Sequence, residues 1–139
     1  MTQLFTLHPQ LEKDTHCLFD NESYFILLHK NATIPWIIIV PKTHQIEIFE
    51  LSDEEQRVIN TLTQSIAQVF RQEFSSEKMN IAAIGNIVPQ LHLHVIGRKS
   101  GDACWPGVVW GANYPDSVYT LEQINHLRAA LSKINDNIL

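Results

Sequence analysis

Cysteine, clustered positive charge and long apolar runs are all scarce in this chain, and each scarcity removes a class of protein. The two cysteines, Cys17 and Cys104, lie far apart and outside any C-x-x-C pattern. That spacing suits reduced cytosolic thiols and argues against a disulfide framework. Ten basic residues face 15 acidic ones, the formal net charge is -5, and no basic run exceeds Arg98-Lys99. Extended nucleic-acid backbone binding is disfavoured, although a single nucleotide phosphate needs only a local site. The longest uninterrupted apolar run, WIIIV at 36–40, is far too short to cross a bilayer. The opening MTQLFTLHPQ lacks the basic segment and apolar core of a secretory signal, so a cytoplasmic protein is expected.

What remains has the size and balance of one domain. The chain has 139 residues, 45% hydrophobic and 18% charged, enough to bury roughly two thirds of its unfolded surface without a metal or disulfide staple. Alternation and β-branched runs predict strands at HCLFD (16–20), SYFILLHK (23–30) and WIIIV (36–40). MNIAAIGN and LHLHVIGR give two more, joined by a short 86–89 link. Ser52 with Glu55 forms a capping box ahead of Val58, Ile59, Leu62, Ile66, Val69 and Phe70, which predicts an amphipathic helix to about Phe74 lying on one face of the sheet. Thr120 with Gln123 repeats the pattern before a C-terminal helix, and SGDACWPGVVWGANYPD (100–116) reads as an ordered loop over a site or a partner subunit. The fold class is α+β.

The chemistry gathers in PQLHLHVIGR, 89–98. In a strand Gln90, His92 and His94 share one face at intervals of about 7 Å, while Leu91, Leu93 and Val95 share the other. Three uses of such a row compete. It is a wet polar strip; or it is a metal site, which wants a further histidine or carboxylate that the nearby sequence lacks; or it is a nucleophilic site. Imidazole attacks phosphorus well when one ring nitrogen is held as a donor and the other presents its lone pair. IGNIVPQ supplies a phosphate-side loop in which Gly85 permits close backbone approach and Asn86 offers a side-chain donor.

Gln90-Leu91-His92-Leu93-His94-Val95-Ile96 resembles the signature of the histidine triad (HIT) superfamily, His-φ-His-φ-His-φ-φ, at six of seven positions. VPKTH (40–44) is similar to a strand end that precedes the family's long helix, and CWPG (104–107) to a segment after the triad in its purine-nucleotide branch. The resemblance implies a HIT-like antiparallel five-stranded meander with one long helix packed on it and a C-terminal helix. It covers a core of about 5–110, with loop and helix over 111–139, in a single domain of 1–139. It also implies a homodimer in which the two sheets join. His92 would attack the α-phosphorus of a purine nucleoside phosphate conjugate, a nucleotidyl-histidine would form, and water would release the monophosphate. His94 would hydrogen-bond the phosphate or bridging oxygen, and no cofactor or metal is called for.

Two positions depart from the pattern. Gln90 stands at the first triad place, where its amide can orient His92 but cannot relay a proton. Ile37 stands two residues after Pro35, where relatives carry a histidine that supports the triad. His29 is either a polar strand-end residue or, by resemblance, faces the ribose, and His44 is either a loop residue or close to the phosphate. Trp105 and Trp110 stack on a base, cover a dimer interface or simply pack. His8, His16 and His126 read as ordinary polar residues. The substrate expected is a dinucleoside polyphosphate or nucleoside phosphoramidate; the alternative is a nucleotide-binding or interaction protein with weak or no turnover.

Overall fold

The structure is a computed structural model that describes residues 4–138. A short helix α1 (Pro9–Asp14) leads into β1 (Thr15–Asp20), β2 (Tyr24–His29) and β3 (Trp36–Pro41). The long helix α2 (Asp53–Phe74), β4 (Lys78–Ala82), β5 (Leu93–Arg98) and α3 (Leu121–Ile134) follow. The five strands form one antiparallel sheet in the order β1-β2-β3-β5-β4. The first three run as a meander; the crossover through α2 then lands β4 at the edge, and β5 fills the space between β4 and β3.

Both long helices begin where their capping boxes place them. Ser52 Oγ accepts from the Glu55 amide while the Glu55 carboxylate accepts from the Ser52 amide, and Thr120 and Gln123 make the same reciprocal pair. α1, only six residues long, is too short to show an apolar period in the sequence; His8 Nδ1 caps it by accepting from the Gln10 amide, and Pro9 opens it. The link between the last two strands is longer than the expected 86–89. β4 stops at Ala82 and β5 starts at Leu93, because the chain turns out of the sheet at Gly85, whose φ of +66° is left-handed.

The sheet has two dry faces. On one, Leu91, Leu93, Val95, Ile37 and Ile39 pack with Ile59, Leu62, Ile66, Val69 and Phe70 of α2 and with Leu127 and Leu131 of α3. Close approach here requires Gly97, since a Cβ on it would collide with Ser76 Oγ and meet Phe70 at 3.0 Å. The other face carries Leu27, Trp36, Ile38, Val40 and Ile96, covered by Leu11 of α1 and by Val109 and Trp110 of the 100–116 loop. That loop is pinned by a buried ion pair. Arg98, 1% exposed, donates from Nε and Nη2 to the two Asp102 carboxylate oxygens at 2.8 and 2.9 Å, and from Nη1 to Asn80 Oδ1 at 2.9 Å. The Arg98 hydrogen bonds hold the Asp102 carboxyl below its ordinary range despite burial.

Candidate active site

His92 and His94 lie on the loop-covered face, both buried, with ring centroids 4.8 Å apart and planes at 71°. His94 sits on β5 opposite Ile38; His92 stands one residue before the strand, where the backbone is still irregular. Its Nδ1 is 2.7 Å from the Gln90 carbonyl oxygen. A carbonyl can only accept, so Nδ1 carries the proton and Nε2 presents a free lone pair. That is the tautomer a nucleophilic imidazole needs.

His94 is held the opposite way round. The buried Trp36 indole donates from Nε1 to His94 Nδ1 at 3.0 Å. An indole N–H cannot accept, so Nδ1 holds the lone pair and Nε2 holds the proton. Burial, then the neighbouring His92 and His29, push the His94 pKa down to about 3, so the ring is neutral and offers one N–H donor. Trp110 meets His94 edge-on at 5.3 Å and Trp36 at 6.0 Å, and its own buried Nε1 has no hydrogen-bond partner among the described residues.

His29, at the end of β2, stacks on Trp36 at 4.2 Å with an interplanar angle of 11°. The Asn31 amide donates to its Nδ1 at 3.2 Å, and burial lowers its pKa. His29 therefore borders the site as a second neutral ring with its proton on Nε2. Gly85 and His92 line a small cavity of about 80 Å³ together with Ile46, Glu47, Ala83, Ile84, Pro89 and Leu91. Asn86 is exposed in the same loop. A larger cleft of about 540 Å³, between the β1–β2 turn, the start of α2 and Asn135 and Asn137, touches none of these histidines.

Several expected placements differ. The Gln90 side chain does not orient His92: its Oε1 accepts from the His8 amide and its Nε2 donates to the Thr6 carbonyl, both at 2.8 Å. It ties the N-terminal segment to the site, and the Gln90 backbone does the orienting instead. Ile37 is not beside the triad either; it points into the α2 core at 0% exposure, because strand alternation puts Trp36 and Ile38 on the histidine face. His44 lies exposed with its ring 6.1 Å from Phe5. Trp105, 38% exposed, covers the Arg98 guanidinium at 5.6 Å. Trp36 and Glu47 were missed. Trp36 was hidden inside an apolar run that reads as core, and only the alternation along β3, joined to the β3–β5 pairing, brings it to His94. Among the described residues no group of three or more histidine, cysteine or acidic side chains is arranged to hold a metal.

A HIT domain family model matches residues 10–101. The chain is similar to a solved histidine triad protein from Marinobacter aquaeolei VT8, with 40% identity and a TM-score of 0.85 over 99% of this chain and 100% of that one. It is also similar to the histidine triad protein blr8122 from Bradyrhizobium japonicum, with 33% identity and a TM-score of 0.82 over 93% and 96%. A diadenosine triphosphate hydrolase from Plasmodium falciparum, solved with cyclomarin A, shares the fold at 16% identity and a TM-score of 0.57, covering 97% of this chain and 82% of that one. No curated protein matches the chain. The chain belongs to the HIT family.

Proposed function

We propose that this chain, acting as one unit over 1–139, is a nucleotidyl hydrolase that cleaves small purine nucleoside phosphate conjugates at the α-phosphorus through His92. The observation that carries this reading is the opposite locking of two adjacent imidazoles. His92 is fixed with Nε2 unprotonated by the Gln90 carbonyl, and His94 is fixed with Nε2 protonated by Trp36. One ring is set to attack and the other to donate to an oxygen on phosphorus, a division of labour that a solvent-facing polar strip has no need of. Gly85 beside His92 leaves room for phosphate oxygens near the loop backbone. The similarity to the Plasmodium diadenosine triphosphate hydrolase adds a precedent for a conjugate of this kind on this fold.

Replacement of His92 by Ala tests the reading. Turnover of a nucleotide conjugate should fall by at least about a thousandfold, since a covalent nucleophile is worth several steps of about 1.4 kcal/mol. Full activity in that variant would sink it. One observation favours the alternative of a nucleotide binder with little turnover: the first triad place holds a glutamine whose amide bonds to Thr6 and His8. Calorimetry with adenosine and guanosine monophosphates, run beside a turnover assay, separates the two.

A homodimer, in the cytoplasm, completes the proposal. Among the described residues β4 pairs on one side only, and Ile81, Ile84 and Ile87 along and beyond it are 49%, 40% and 91% exposed. An open edge rimmed with isoleucine suits pairing with the same edge of a second copy. No described helix is long and apolar enough to cross a membrane.

A further inference from the structure

Trp36 fixes more than the orientation of His94. Neutral imidazole has a single ring lone pair, and on His94 the indole N–H of Trp36 occupies it at 3.0 Å. Adding a proton at that nitrogen would set two N–H groups head to head in a buried site, with the loss of a hydrogen bond and an unsatisfied donor on each side. His94 can therefore donate a hydrogen bond from Nε2 but cannot take up and hand over a proton through an imidazolium form. No neighbour makes good the loss. His29 Nδ1 is occupied by the Asn31 amide, Gln90 has no titratable proton, and His92 is the nucleophile. Glu47, which lines the small cavity together with His92, points into solvent-exposed surroundings.

From this we infer that Trp36 is a positioning residue that selects the substrate: it makes the site one for phosphoanhydrides, whose leaving group departs as a stabilised oxyanion, and a poor one for phosphoramidates. The inference rests on the hydrolase reading above. In the first step His92 Nε2 forms a bond to the α-phosphorus, and the bond to the bridging oxygen breaks with its electron pair leaving on the departing phosphate. No proton is transferred to that oxygen; His94 Nε2–H hydrogen-bonds it, and the positive charge on the His92 ring is met by the Gln90 carbonyl at Nδ1. Water then attacks phosphorus, the P–N bond breaks with its pair returning to Nε2, and one proton passes to solvent. A phosphoramidate nitrogen, by contrast, leaves as an amine only after gaining a proton, and the residues here have none to give.

Two measurements test this on the full chain. The first compares kcat/KM for diadenosine triphosphate with that for an adenosine phosphoramidate of a primary amine, in the native protein and in Trp36→Phe. The anhydride should be preferred by about 100-fold, the ordinary worth of an acid catalyst. Trp36→Phe, which frees His94 Nδ1, should narrow that preference by about tenfold. The second is ¹⁵N NMR of the native imidazoles, which needs no variant and no turnover: His94 should be the Nε2–H tautomer and stay neutral from about pH 8 to about pH 5, below the ordinary histidine midpoint. A His94 that titrates in that window, or sits as the Nδ1–H tautomer, overturns the inference. So does equal or better turnover of the phosphoramidate, which leaves the hydrolase reading standing. Failure of both substrates, with no nucleotide carried on His92, overturns the reading and the inference together.

Discussion

On the α2 side of the sheet, Leu91, Leu93 and Val95 meet Ile66, Val69 and Phe70; on the other side His92 and His94, which alternate with them along the chain, meet Trp36, Trp110 and the Gln90 carbonyl. Strand alternation assigns both sets, yet the two faces make different demands. The helix face asks only for volume, because dispersion and apolar burial carry no direction. The histidine face asks where each N–H points. There a change that preserves shape and removes one donor alters which nitrogen of His94 holds the proton, and so alters the chemistry.

The contrast can be broken first on the helix side. Phe70 is fully buried against Gly97 and Phe74, and Phe70→Ala should cost about 3–5 kcal/mol in urea unfolding through loss of apolar burial and an unfilled cavity. A cost below about 1 kcal/mol would mean that this face is not the close-packed one. The histidine side should show itself in acid. His94 titrates at about 3 in the folded protein against 6.5 for an ordinary histidine, and burial lowers His29 in the same direction. Below pH 6.5 the unfolded chain takes up protons that the folded one refuses. Stability from His94 is thus complete above about pH 6.5 and is lost as pH falls towards 3, by up to about 1.4 kcal/mol per unit. Unfolding midpoints that stay flat between pH 7 and 5 would contradict the buried neutral ring.

Smaller effects sharpen the comparison. Gln90→Ala removes two hydrogen bonds to the N-terminal segment and should cost about 1–3 kcal/mol. The backbone carbonyl that holds His92 survives in that variant, so turnover should change by less than about tenfold. A loss as large as that of His92→Ala would return the orienting role to the side chain. Ile37→Val should cost about 0.5–1.5 kcal/mol and leave turnover alone, since Ile37 faces α2. An activity loss there would place it beside the triad after all.

Much of this contrast was legible in the residues. The two capping boxes fixed the helix starts, and period-two alternation separated Leu91, Leu93 and Val95 from His92 and His94 before any fold was known. Strand ends were not legible: residues 83–86 continue directly from the β4 sequence, and the left-handed turn at Gly85 lies outside the sheet. Trp36 stayed hidden for a different reason. Its role depends on which strand lies beside β3, and the crossover that inserts β5 there is a long-range choice that no local window contains. The same holds for Gln90, whose partners Thr6 and His8 are more than 80 residues away in sequence.

The proposed chemistry turns on a covalent bond between His92 Nε2 and a nucleoside α-phosphate. Rapid quenching of the protein with diadenosine triphosphate, followed by mass spectrometry of the peptide containing Pro89 to Arg98, measures it directly. An added adenosine monophosphate on His92 is expected, present in the native protein and missing from His92→Ala. Turnover without any such adduct on that peptide, or an adduct that survives the substitution, would contradict it.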